Sequence, residues 1–397
     1  MKNVLALCIG SIISAGLAAP AVADNGLQED FKKAIDGSKT DLNFRYRYEF
    51  VDQDGMAKDA NASTLRTRLT YQSGAFKGFS LKLEADNVSE AGSDNYNSTV
   101  NGNASYPVVA DPTGTELNQA FISYKNDGLT LSAGRQRINH NDQRFVGGVG
   151  WRQNEQTFDG YRFEYASGDF SADYAYVYNV NRIFGEDSTS GDLHGDIHLL
   201  NSNYKLADNQ KLTGYFYDMD FDSAAALSNH TVGLAYDGTF GNTKLHAAYA
   251  RQNETGENPV DYNAVYYAIE AAKQAGKVNI ALGYESLGSD NGVGFTTPLA
   301  TLHKFQGFVD KFLNTPANGV EDLYLKLSGK LGKLALSATW HDLQAETGNQ
   351  DYGTELDLVA TYPLAEKVSL QFKYADYNAD GLATDTKKFW TMLTMAF

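Results

Sequence analysis

Alternation of side-chain character is the property that most limits what this chain can fold into. In DLNFRYRYEF, 41–50, Leu42, Phe44, Tyr46, Tyr48 and Phe50 take one parity, and Asn43, Arg45, Arg47 and Glu49 take the other. Near 64–73, Leu65, Leu69 and Tyr71 oppose Arg66 and Arg68; over 79–86, Phe79, Leu81 and Leu83 oppose Lys82, Glu84 and Asp86. Period 2 belongs to the β-strand, whose successive side chains point to opposite faces. A polar face so consistently charged suits a wet lumen inside an apolar wall better than the surface of a soluble sandwich. No run of 18 apolar residues occurs, which excludes a helical membrane protein. The expected class is all-β, a transmembrane antiparallel barrel with inward-folded loops and a short N-terminal helix.

Connection lengths give the topology. Short turns fall at 74–78, 125–128, 166–169, 206–211, 237–242, 273–276, 330–333 and 363–367. Longer polar connections separate them, including 51–63, 87–116, 139–156, 181–195 and 288–319. Such a count predicts about eighteen strands, an even number that puts both ends on the side of the short turns. Segments 155–165 and 197–220 alternate poorly. The last residues, KKFWTMLTMAF, set Phe389, Thr391, Leu393, Met395 and Phe397 against Trp390, Met392, Thr394 and Ala396. An exposed terminal strand needs a partner, and pairing with the first strand abolishes the edge. This strand resembles the terminal strand of bacterial outer-membrane barrels. The resemblance implies recognition by the barrel-assembly machinery through the strand ending at Phe397, and contact with outer-membrane lipid and lipopolysaccharide.

Residues 1–23 read as a cleaved signal peptide: Lys2 is the basic region, Val4 to Leu17 the apolar region, and Ala21-Val22-Ala23 the cleavage pattern. Cys8, the only cysteine, lies inside it, so the mature chain has no thiol chemistry. Without Lys2, 32 basic side chains face 49 acidic ones, a formal charge of −17 that disfavours nucleic acid as a partner. Residues 24–40 form an N-terminal periplasmic or plug segment before the barrel, 41–397. Leu27, Phe31 and Ile35 at i, i+4, i+8 predict a short helix at or inside the periplasmic mouth, an unstructured leader being the alternative.

Nine of the eleven arginines lie between 45 and 162. Arg45, Arg47, Arg66 and Arg68 share the polar parity and predict a basic ladder on one lumen wall. Two roles are open to it: guiding anions, or cross-bracing the barrel through Glu49, Glu84 and Asp86. Arg135 and Arg137 share the parity of Leu129, Leu131 and Ala133, which would place them in lipid at ~2–4 kcal/mol each near the midplane. A bulge at Gly134 would turn both inward. The following run, NHNDQRFVGGVGWRQN, is too polar and glycine-rich for a membrane strand and reads as a loop folded into the pore. Its Asp142, Arg144 and Arg152 join Arg45, Arg47, Arg66, Arg68, Arg135 and Arg137 as the candidate pore-lining or constriction residues.

GRQ at 134–136, DQRFVG at 142–147, WRQN at 151–154 and FDG at 158–160 resemble the signature of the alginate-export family of outer-membrane porins. FTTPLATLHKFQGFVDKFLNTPANGVEDLY, 295–324, is similar to a second stretch of that family. The resemblance implies an 18-stranded, monomeric barrel with inward loops and no bound cofactor, in the bacterial outer membrane. The mixed lumen, with Glu270, Glu285, Glu355 and Asp357 at later inward positions, suits a passive channel for small hydrophilic solutes, with some preference for anions. A dedicated exporter of an anionic exopolysaccharide is the alternative, and an outer-membrane hydrolase a remote one. His341 with Asp342, or His140 with Asp142, are the nearest to a catalytic pair, yet neighbours on a strand point to opposite faces. His194 and His198 read as solvated loop histidines rather than metal ligands, and Asp52-x-Asp54-Gly55 as a plain turn.

Overall fold

The computed structural model describes residues 25–397, so the signal peptide expected over 1–23 lies outside the described residues. A helix, α1 (Asn25–Asp36), precedes the strands. The first half comprises β1 (Lys39–Gln53), β2 (Ala60–Gln72), β3 (Phe79–Asn95), β4 (Gly114–Asn126), β5 (Leu129–Gln136), β6 (Thr157–Ser167), β7 (Phe170–Asn181), β8 (Asp192–Ala207), β9 (Gln210–Phe221) and β10 (Asn229–Phe240). Then come β11 (Thr243–Glu254), β12 (Asn263–Ala275), β13 (Val278–Leu287), a two-residue hairpin β14 (Ser289–Asp290) and β15 (Val293–Gly294), β16 (Val320–Leu331), β17 (Leu334–Gln344), β18 (Asp351–Ala365), β19 (Val368–Ala379) and β20 (Thr386–Ala396).

All strands except the small hairpin belong to one 18-stranded sheet. Each pairs antiparallel with its neighbours in the chain, and β20 closes on β1 from Asn43↔Ala396 to Gln53↔Thr386. Closure leaves no unpaired ladder, the condition for crossing a hydrocarbon layer with strands. Among the described residues no helix is long and apolar enough to cross a membrane. The polarity is inverted relative to a soluble domain. Leu131, Phe163, Leu234, Ile269, Leu282 and Phe372 are exposed on the outer wall, while Arg45, Arg47, Arg68, Glu49 and Asp86 are buried inside. That inversion is what a lipid-facing barrel requires.

The strands around the long connections extend further than their alternation suggested. The connection expected over 51–63 is only 54–59, and β3 continues to Asn95. The bulge expected at Gly134 is not there. The ladder runs through Phe121↔Gly134 and Gly134↔Gly160 without a shift. The inserted residues lie in the neighbouring strands, at Asn118 of β4 and Tyr178 of β7. Gly134 bends the strand instead, with φ +119°. A Cβ there would stand 2.3 Å from the Ala120 carbonyl oxygen. Gly134→Ala should therefore cost about 1–3 kcal/mol, seen as a lower urea midpoint of the detergent-purified protein. An unchanged midpoint would mean that β4 and β5 separate without penalty.

Helix α1 forms where the sequence predicts it. It rests on the short turn after β2, where the Gly74 amide donates to the Ala34 carbonyl (2.9 Å), and Phe31 meets Phe76 edge-on at 6.1 Å.

Candidate functional site

The run 137–156 leaves β5, turns into the lumen and is gripped on two sides. Its later half lies on the basic wall of β1 to β3. Arg45 donates to the Gly150 carbonyl (2.8 Å), to Gln153 Oε1 (2.9 Å) and to the Arg152 carbonyl. Arg47 pairs with Asp111 (2.9 Å) from the loop after β3 and stacks over Trp151 (4.3 Å). Arg68 forks onto Asp86 and reaches Glu155 (2.6 Å). Arg66 donates to Asn43 (3.0 Å) and stands 3.5 Å from Glu155. Arg137 closes the group by pairing with Glu155 and with Glu84 (3.0 Å). Burial alone would raise the Glu155 carboxyl, but Arg68, Arg137 and Arg66 outweigh it and hold it below the usual carboxylate range.

The earlier half of the loop is held by packing. Phe145 sits among Tyr215 (5.1 Å), Tyr266 (5.2 Å) and Phe295 (5.9 Å). Ile138 and Val146 join the same core with Val177, Ile197, Leu199 and Met219 on the inner faces of β7 to β9. One wall of the lumen is therefore apolar and the other basic.

A second loop, 295–319, locks into the first. Val146 and Leu299 form a parallel bridge. The Gly147 amide donates to the Leu299 carbonyl (2.8 Å) and the Thr301 amide to Gln143 (3.0 Å). Arg144 reaches Glu285 (2.7 Å) on β13 and Gln306 (3.3 Å) on the second loop, and it stacks on Phe305 (4.6 Å). Arg152 bridges Glu49 (3.1 Å) on β1 and Asp310 (3.2 Å). Asp310 also takes Lys388 Nζ (3.1 Å) and the His303 Nδ1–H (2.7 Å). The other face of His303 stacks on Trp151 (4.5 Å), and Lys373 Nζ lies 2.6 Å from its Nε2. On β18, Glu355 accepts from the Val309 amide (2.7 Å) and Asp357 from the Phe308 amide (3.1 Å). Burial pulls the His303 imidazole down to about 3, with Lys373 adding to the effect and Asp310 opposing it. His303, Lys388 and Arg152 overcome burial at Asp310 and hold its carboxyl well below the usual range.

Beneath the two loops a chamber of about 640 Å³ extends toward the short turns. Its wall sets Asp142, Asp237, Glu270, Glu285, Asp322 and Asp357 against Arg144, Lys211, Lys304 and Lys326, a mixed lining in which carboxylates are the more numerous. Of the residues expected at a constriction, Arg45, Arg47, Arg66, Arg68, Arg137, Arg144 and Arg152 come together around the loop. Asp142 is exposed in the chamber. Arg135 stands apart: it forks onto Asp159 (2.8 and 3.0 Å) and donates to the Leu117 carbonyl (3.1 Å). Both belong to the parity of outward-facing Leu131 and Tyr161. Sequence reasoning missed Asp111, His303, Asp310 and Lys373, whose roles arise from contacts across scores of residues. His140 bonds Asp173 (3.1 Å) rather than Asp142, and His341 bonds Asp322 rather than Asp342. His194 and His198 lie on β8, not in a loop, and His198 meets the Tyr174 hydroxyl (2.8 Å).

The alginate export family model matches residues 36–297, including the whole run 137–156. The chain belongs to the alginate export family. The match ends where the second quoted stretch begins, so the likeness of 295–324 rests on its own residues. None of the curated proteins matches the chain. Solved structures share the fold. OccK9 (OpdG) of Pseudomonas aeruginosa has a TM-score of 0.71 at 14% identity, covering 92% of this chain and 99% of its own. OccAB2 of Acinetobacter baumannii has a TM-score of 0.70 at 17% identity, with 92% and 98% covered. OccD3 (OpdP) of Pseudomonas aeruginosa has 0.69 at 16%, with 92% of each chain covered. At these identities the likeness speaks for the barrel alone.

Proposed function

We propose that this alginate-export-family barrel is a passive outer-membrane channel for small hydrophilic solutes, narrowed by the joined loops 137–156 and 295–319. The observation that carries this reading is the way the basic wall is used. Arg47, Arg66, Arg68, Arg137 and Arg152 stand against Asp111, Glu155, Asp86, Glu84, Glu49 and Asp310. A wall neutralised in this way fastens a constriction and offers no continuous electropositive track for a polyuronate. The cross-bracing role of the ladder is thus favoured over anion guidance, and the loop arginines act as fasteners. The chain works as a monomer, and β20, whose outer face ends at exposed Phe397, is the element read by the assembly machinery.

The family description supports an alternative, export of an anionic polysaccharide. Planar-bilayer recording separates the two. Stable conductance in small salts without any trigger is expected. A pore that stays silent until a periplasmic loop is removed, and is then blocked by uronate oligomers, would make it an exporter. Lipid or peptide hydrolysis abolished by a single Ser or His change would make it an enzyme.

A further inference from the structure

We infer that helix α1 lies in the membrane surface, its apolar face buried among the lipids of the leaflet on the short-turn side. Leu27, Phe31 and Ile35 lie within one arc of the helix, and all three are exposed, Phe31 by 58%. Ala34, at the edge of that arc, is the buried residue and seats the helix on Gly74. The exposed arc is therefore not spent on the barrel's own packing.

The occupant follows from the ring that Phe31 touches. Phe76 and Phe79 form a directly bonded antiparallel pair across the tight Lys77-Gly78 turn. Side chains of a directly opposed pair share one face of the ribbon. Phe79 has the parity of Leu81 and Leu83, opposite inward Glu84, so that shared face is the lipid face. Phe79 in turn packs on Tyr124 at 4.8 Å. The line Phe31–Phe76–Phe79–Tyr124 thus continues the barrel's lipid-facing belt onto the helix. On the polar side of the helix, Gln28, Glu29, Lys32, Lys33 and Asp36 face water. A short helix with this division of faces is the form taken by interfacial, monotopic helices. A helix lying flat at the rim would brace the short-turn side against the membrane and keep the channel mouth clear of it.

Spin-label accessibility tests the inference on the whole exported protein purified from the membrane, with Cys8→Ser so that any uncleaved precursor adds no second thiol, reconstituted in phosphatidylethanolamine–phosphatidylglycerol vesicles. Labels at Phe31→Cys and Ile35→Cys should collide with oxygen and be shielded from a water-soluble nickel chelate, as a label at Phe163→Cys on the outer wall is. A label at Glu29→Cys should show the reverse. The oxygen-to-nickel ratio is expected to differ several-fold between the two faces. Equal nickel access at 29, 31 and 35 would place the arc in water and overturn the inference. Shielding of 31 and 35 from both reagents would place the arc in the lumen, and dipolar broadening between labels would place it against a second copy. Either result would also overturn it.

Discussion

Replacing Arg152 and Arg144 together by glutamine should raise the open conductance several-fold, because the two side chains tie the inward loops to the wall. Arg152 is the cation that pairs with Glu49 among the described residues, and Glu49 is fully buried. Removing one member of a buried ion pair costs about 3–5 kcal/mol, since the other charge is left unpaired in a low-dielectric site. Arg144 similarly holds Glu285 and Gln306 against Phe305. Loss of both exceeds what a loop interface can absorb while the barrel ladder stays intact, so the loops detach and the barrel persists. Single-channel recording should show larger, noisier openings, with heat resistance of the barrel on gels little changed. Arg182→Gln is the control, because that guanidinium stacks on Phe184 (4.9 Å) in the loop after β7 and pairs with no carboxylate among the described residues. A shifted reversal potential at unchanged conductance would mean that the arginines select charge instead of fastening the loop.

The sequence was most legible where the two faces of a strand differ in kind. On β1 to β3, arginine and carboxylate alternate with aromatics, and the inside could be told from the outside residue by residue. On β8 and β9 the same reading failed for a physical reason. Ile197, Leu199, Tyr215, Tyr217 and Met219 face a lumen filled by Phe145, while Leu200 and Phe216 face lipid. With both faces apolar, period 2 loses its contrast. Arg135 and Arg137 show a second limit. Local parity sets Arg135 on the outward face and the bulge invoked to turn it inward does not form, whereas Arg137 lies beyond the end of β5 and turns inward with the loop. The partners of the ladder were hidden for another reason. Asp111, Glu155 and Asp310 come from three different connections, and only closure of the barrel brings them to one wall. The loop 295–319 looked like a polar connection because His303, Lys304 and Asp310 are polar by type. Its Phe295, Leu299, Val309 and Phe312 are buried inside the lumen, where a water-filled channel would not be expected to bury them.

Acid should loosen the constriction, and His303 sets the range in which it does. In the docked loop its imidazole is held down to about 3, whereas a detached loop would return it to roughly 6.5. The detached state therefore binds a proton that the docked state refuses. Docking is fully favoured above about pH 6.5 and loses ground as the pH falls toward 3. Asp310 acts in the same direction at lower pH, because its docked carboxyl lies well below the ordinary value near 3.8 and its contribution fades only below that. The geometry explains the refusal. His303 Nδ1 donates to Asp310, so Nε2 must accept from Lys373, and a second proton would set two cations 2.6 Å apart beside Arg152 and Lys388. Conductance recorded at about pH 4.5 should exceed that at about pH 7.5 in the native chain. His303→Gln keeps a side chain able to donate to Asp310 but cannot titrate, so its conductance should change far less between the two pH values. An unchanged acid response in that variant would assign the loosening to carboxylates alone, with Glu355 and Asp357 on β18, which bind the amides of Val309 and Phe308, the next groups to replace.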